Sequence, residues 1–138
     1  MKKLLSTLIL TIFCVSAPLT VNASSEIVDT TLVKGYATAY HQTGIMRSGQ
    51  YTRDGVCAGS IDYMNCVVVM YQRLPDGSIG DYIGTYECLD TGGTKGLHSG
   101  KVIDVWKPDL SNCQDFMDTV YEDNCNGKVY FQIIKGDG

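Results

Sequence analysis

The sequence predicts an all-β protein, a closed barrel of six short strands carrying one helix. Three observations lead there. Short runs rich in β-branched and aromatic residues recur along the chain, separated by Gly, Pro and Asn turn signals. Only one stretch has helical periodicity. Strands this short and numerous leave long exposed edges in an open sheet, and closure removes them.

Taken in order, residues 1–23 read as an export signal. Lys2 and Lys3 precede the apolar run Leu4–Val15, and Val21-Asn22-Ala23 offers small residues for cleavage. Polar residues and Pro18 interrupt the run, so it is short for a bilayer-spanning helix. Residues 24–34 read as a short leader and 35–138 as one domain. Cleavage removes two of 11 basic residues and none of the 15 acids, so the net charge moves from −4 to −6. That balance argues against a nucleic-acid partner, whose binding rests on cationic contacts. The mature chain, with no second apolar span, is expected to be soluble outside the membrane and monomeric.

Thr31–Tyr40 reads as the first strand. From His41 to Asp54 the chain turns polar and Gly-rich, a loop. Gly55–Asp62 is a short extended segment. Cys66–Gln72 is the most apolar strand, Pro75-Asp76-Gly77 turns it, and Asp81–Leu89 returns as its hairpin partner. In Lys101–Trp106, period-two alternation sets Val102, Asp104 and Trp106 on one face and Ile103 and Val105 on the other. Ser111 and Gln114 have capping-box spacing, with Leu110, Cys113, Phe116, Met117 and Val120 recurring on one helical face. Asn126-Gly127 then turns the chain into Lys128–Ile134.

Five cysteines follow the signal: Cys57, Cys66, Cys88, Cys113 and Cys125. Export favours disulfides, but five thiols leave the connectivity open; Cys113 with Cys125, which bracket the helix, is the preferred pair. No C-x-x-C spacing and only two histidines, His41 and His98, speak for a metal, so neither metal nor other cofactor is expected.

The stretch Glu87–Trp106 carries the candidate chemistry. It ends one strand on Asp90, turns through Gly92, Gly93, Gly96 and Gly100, and resumes a strand bearing Asp104. If Ile103 and Val105 face the core, Asp104 and Trp106 share an outer groove. There a carboxyl group can protonate a glycosidic oxygen beside an indole platform for a sugar. Two carboxyls about 5 Å apart at an effective dielectric of about 20 repel by roughly 3 kcal/mol, enough to leave one protonated near neutral pH.

Ala37–Tyr40 (A-T-A-Y), Ile61-Asp62, Leu89–Gly96 (L-D-T-G-G-T-K-G) and Val102–Trp106 (V-I-D-V-W) together resemble the three-aspartate, or 3D, domain of exported bacterial cell-wall proteins. The resemblance runs from about Gly35 to Ile134. It implies a double-psi β-barrel similar to the catalytic domain of membrane-bound lytic transglycosylase A. It further implies metal-independent cleavage of the bond between N-acetylmuramic acid and N-acetylglucosamine in peptidoglycan glycan strands, leaving a 1,6-anhydro sugar. On this pattern Asp104 matches the catalytic acid, Asp90 its supporting neighbour and Asp62 the first named acid, while Thr91, Gly92, Gly93 and Trp106 would hold the sugar. The chain departs from the pattern after Asp62, where Tyr63-Met64-Asn65-Cys66 replaces a Pro/Gly turn, and in the longer loop bearing His98. Two other readings stay open. One is a non-catalytic wall-binding module on the same barrel. The other is an aspartic-peptidase-like dimer built on Asp90-Thr91-Gly92.

Overall fold

A computed structural model describes residues 32–136; the expected signal peptide and residues 24–31 of the leader lie outside them. Six strands, β1 (Leu32–Tyr40), β2 (Val56–Gly59), β3 (Cys66–Arg73), β4 (Ile79–Thr91), β5 (Val102–Trp106) and β6 (Lys128–Lys135), close into a barrel in the order β1-β5-β2-β4-β3-β6. β6 pairs with both β3 and β1, which closes the barrel of the described residues. The sheet is mixed: β1 with β5 and β2 with β4 run parallel, the other pairs antiparallel. β1 begins at Leu32, so residues 32–34 of the expected leader belong to the barrel.

Alternation decides which side chains fill the interior. Along β3, Cys66, Val68 and Met70 are buried while Val67 and Val69 are only partly so. They meet Cys57, Tyr86, Cys88, Ile103, Val105 and Phe131 in one core cluster. Ile103 and Val105 do face inward, as the period-two pattern requires. Gly35 is held to glycine by this packing: a Cβ there would run into the Lys101 carbonyl and the Phe131 ring.

One long helix, α2 (Leu110–Tyr121), covers part of the barrel with Cys113, Phe116 and Val120, Phe116 packing edge-on against Tyr86. Its start differs from the capping-box expectation. Asp109 is the cap, its Oδ1 accepting from Asn112 N at 2.8 Å. An acid one residue upstream of the helix offers a better acceptor than Ser111, which falls inside the first turn. Leu110, expected on the apolar face, is therefore at the open end and exposed. A one-turn helix, α1 (Lys95–His98), absent from the sequence reading, folds within the glycine-rich loop and buries Leu97.

Gln72 joins helix to barrel. Buried to 2% exposure, it donates from Nε2 to Thr119 O at 3.2 Å and accepts the Asp81 N–H on Oε1 at 3.3 Å. Gln72→Ala should cost about 1–3 kcal/mol in urea unfolding, because both backbone partners then lose a hydrogen bond.

The preferred Cys113–Cys125 bridge is not formed; all five cysteines are free and buried. Cys113 is in the first turn of α2 and Cys125 follows the 3-10 turn after its last. At about 1.5 Å per residue the two ends of such a helix are more than 10 Å apart, beyond the reach of a disulfide. No helix of the described residues is long and apolar enough to cross a membrane.

Candidate functional site

The barrel's register, more than its turns, assembles the acids. Thr38 on β1 pairs with Asp104 on β5, Asp104 with Ala58 on β2, and Ala58 with Asp90 on β4. One lateral row on the outer face thus reads Thr38, Asp104, Ala58, Asp90. Asp90 reaches that row through a bulge: Cys57 pairs with Cys88, but Ala58 pairs with Asp90 and skips Leu89. The two acids stand two strand steps apart, roughly 9–10 Å between backbones. The methyl of Ala58 between them leaves the space over the row low.

Asp104 is half-buried, and Thr38 Oγ1 donates to its Oδ1 at 2.8 Å. Burial raises its pKa above the ordinary carboxyl value, while the Thr38 hydrogen bond pulls the other way by favouring the charged form. Repulsion from Asp90 is not among the causes. This corrects the expectation of mutual repulsion: the β2 strand separates the acids, and the upward shift comes from loss of water. Asp90 is held instead by backbone N–H donors, its Oδ1 accepting from Arg47 N at 3.0 Å and Thr91 N at 2.8 Å.

The loop of residues 41–54 roofs one end of this row. Met46 plunges beneath it into a second apolar cluster with Val56, Leu89 and Trp106, and Ser48 N donates to Leu89 O at 3.0 Å. Trp106 is 7% exposed, and its indole N–H donates to Gln42 O at 2.9 Å. It shares the outer face with Asp104, as expected, but lies under the loop and forms a wall there; the open stacking platform expected of it is covered.

Tyr40 is the residue the sequence reading passed over. It follows Thr38 on the same face of β1, pairs with Trp106, and lines a cavity of about 210 Å3 with Gln42, Thr43, Gly44, Ile45, Thr52 and Asp90. Its hydroxyl is buried, with no hydrogen-bond partner among the described residues. Burial, then the charges of Asp90 and of Asp104, push the phenol pKa up, so it is a proton donor at any physiological pH. A buried donor that feels the charge of both acids and is without a partner among the described residues is what a ligand oxygen would satisfy. The A-T-A-Y alternation held the signal that Thr38 and Tyr40 share a face; the pairing of that face with Asp104 was not visible.

The other expected residues are placed as follows. Thr91 accepts from Arg47 Nη1 at 3.4 Å beside Asp90. Gly92 packs against Leu97, where a Cβ would collide with that side chain, so its glycine serves the fold of the loop. Gly93 is exposed with open space around it. Asp62 stands exposed on the 3-10 turn Ile61–Tyr63 at the end of β2, its N–H donating to Ser60 Oγ, and no hydrogen bond joins it to Asp90 or Asp104. Register thus sets Asp104 and Asp90 in one outer row, with Tyr40 two residues beyond Thr38 on the same strand face, and Asp62 is not part of that row. Among the described residues no three His, Cys, Asp or Glu side chains converge in a metal-binding group. Comparison with protein-family models, with curated proteins and with solved structures finds no match to this chain.

Proposed function

We propose that this protein is an exported glycan-cleaving enzyme of the lytic-transglycosylase type, acting on the bond between N-acetylmuramic acid and N-acetylglucosamine in peptidoglycan, with Asp104 as acid and then base. One observation carries the chemistry: a carboxyl whose pKa burial raises, set in an outer polar row with a second acid and an unpartnered phenol. The substrate class rests on the resemblance to the 3D domain. The cavity at the end of the row, about 210 Å3 and lined by Tyr40 and Asp90 but not by Asp104, is smaller than the roughly 300–1,000 Å3 typical of small-molecule pockets. That suits a polymer lying across a notch better than a small molecule enclosed by one.

Protonated Asp104 donates to the glycosidic oxygen as the bond to the anomeric carbon breaks. The sugar's own 6-hydroxyl then closes on that carbon, and the Asp104 carboxylate takes its proton, restoring the acid and giving a 1,6-anhydro end. The Tyr40 hydroxyl donates to a sugar oxygen, and Asp90, fixed by Arg47 N and Thr91 N, accepts from a sugar hydroxyl.

Incubating the purified protein with intact sacculi tests this reading. Release of soluble muropeptides with anhydro ends is the expected result; tight binding without release would favour the wall-binding module. Thr38→Val supplies a directional check. Loss of its hydrogen bond removes a force that favours ionised Asp104, so the alkaline limb of the pH–rate profile should move to higher pH. A limb that stays put or moves to lower pH would take the proton-donor role from Asp104.

A further inference from the structure

Cys57 and Cys88 are direct partners in the parallel pairing of β2 with β4, both point into the barrel, and both are 0% exposed. Neighbouring strands place paired Cα atoms about 4.7–4.9 Å apart, inside the window of roughly 4.4–6.8 Å that a disulfide spans. Both are free thiols in the structure, and each perturbs the other's ionisation, Cys88 raising that of Cys57. Cys113 and Cys125 lie outside the core cluster that holds this pair. Cys66, on β3 at the other side of β4, is the one further cysteine in the same core cluster.

We propose that Cys57 and Cys88 form a cross-strand disulfide that ties β2 to β4 directly behind the Asp104–Ala58–Asp90 row. The inference is independent of the glycan reading, since it needs only the register. The oxidant is a small disulfide. One cysteine thiolate attacks it, forming a mixed disulfide and releasing one thiolate. The second cysteine, deprotonated, attacks the mixed disulfide, and the other thiolate leaves. Two protein thiols are oxidised and one disulfide is reduced to two thiols. Inside the closed barrel there is no room for the mixed disulfide, because even a Cβ on Gly59 would sit 3.2 Å from Cys88 Sγ. Exchange therefore takes place before the barrel closes.

The bond's position gives it consequences for the site. Cys88 precedes the bulge that delivers Asp90, and its thiol donates to the Asp90 carbonyl at 3.8 Å. Cys57 precedes Ala58. Oxidation removes that S–H donor and puts a covalent tie across the same strand offset.

The test is to refold reduced, denatured protein in a mixture of oxidised and reduced glutathione, block free thiols with N-ethylmaleimide, and map the peptides by mass spectrometry. Expected is a protein lighter by two hydrogen atoms, a Cys57–Cys88 linked peptide, and blocked thiols at the other cysteines. The link should also form in a Cys66→Ala variant. The loop closed spans about 30 residues, so the oxidised form should melt on the order of 10 °C above the reduced one, a gap absent from the Cys57→Ala/Cys88→Ala variant. Maleimide on both Cys57 and Cys88 after oxidative refolding, or a Cys66–Cys88 link in their place, would overturn the proposal.

Discussion

Asp104→Asn should lower the release of anhydro-muropeptides by about 10²–10⁴-fold, the usual contribution of a positioned acid–base group, while leaving the fold intact. The asparagine Oδ1 can still accept from Thr38, so the β1–β5 pairing keeps its cross-strand hydrogen bond. The amide can neither donate a proton to a leaving oxygen nor take one from a hydroxyl. The same variant should be more stable than the parent at neutral pH. Asp104 has a folded pKa above its unfolded value of about 3.9. The native state therefore holds more protons than the unfolded chain between those two values, and stability is lost as pH rises through that window. Asparagine has no such window. The variant's advantage should be present at pH 7, fade as pH falls through that window and be gone below about 4, as followed by denaturant titration at several pH values. Gain of stability with loss of activity is the pattern of a residue held for chemistry; loss of both would mark Asp104 as structural.

Phe131→Ala should be the most damaging single change to the fold, at about 3–5 kcal/mol. Phe131 is fully buried on β6, which closes the barrel against both β1 and β3. Its ring meets Tyr63 edge-on, with centroids 6.2 Å apart, and lies over Gly35, where no side chain can follow it into the space. The strands around it are tied laterally on both sides, so they cannot collapse into the hole, and the cavity term adds to the lost transfer energy. Against a whole-domain stability of roughly 5–15 kcal/mol, such a loss leaves little in reserve. Urea denaturation of Phe131→Ala beside Phe131→Leu measures it; equal, small losses in both would mean the interior relaxes more freely than its packing suggests.

The long strands were legible because their two faces differ. β3 alternates buried and half-buried residues along its whole length, and β5 turns Ile103 and Val105 inward against Asp104 outward. β2 offered no such contrast: all four of its residues are buried, two inside the barrel and two beneath the loop of residues 41–54 or beside the acids. A segment covered on both faces has no period to read. The site was legible only in part, and for a related reason. That Asp104 faces outward followed from alternation. That Asp90 joins it depends on a one-residue bulge, without which Leu89 would stand opposite Ala58 and Asp90 would turn away. Nothing in the residues 87–91 announces that offset.

Trp106 shows the converse. Its face was deduced correctly, but its cover was not, because the polar composition of residues 41–54 conceals that Met46 anchors them onto the barrel. The cysteines make the same point about register. Sequence proximity around a helix favoured Cys113 with Cys125, whereas strand pairing sets Cys57 beside Cys88, 31 residues away along the chain.

Loss of water around Asp104 holds its carboxyl pKa above the ordinary value. Its side-chain carboxyl can be followed directly by carbon-13 NMR across a pH titration, in the parent and in Asp90→Asn. A midpoint above about 3.9 that is nearly unchanged when Asp90 is neutralised is the predicted result. A midpoint at or below that value would contradict the account, as would one that falls to it when Asp90 is removed.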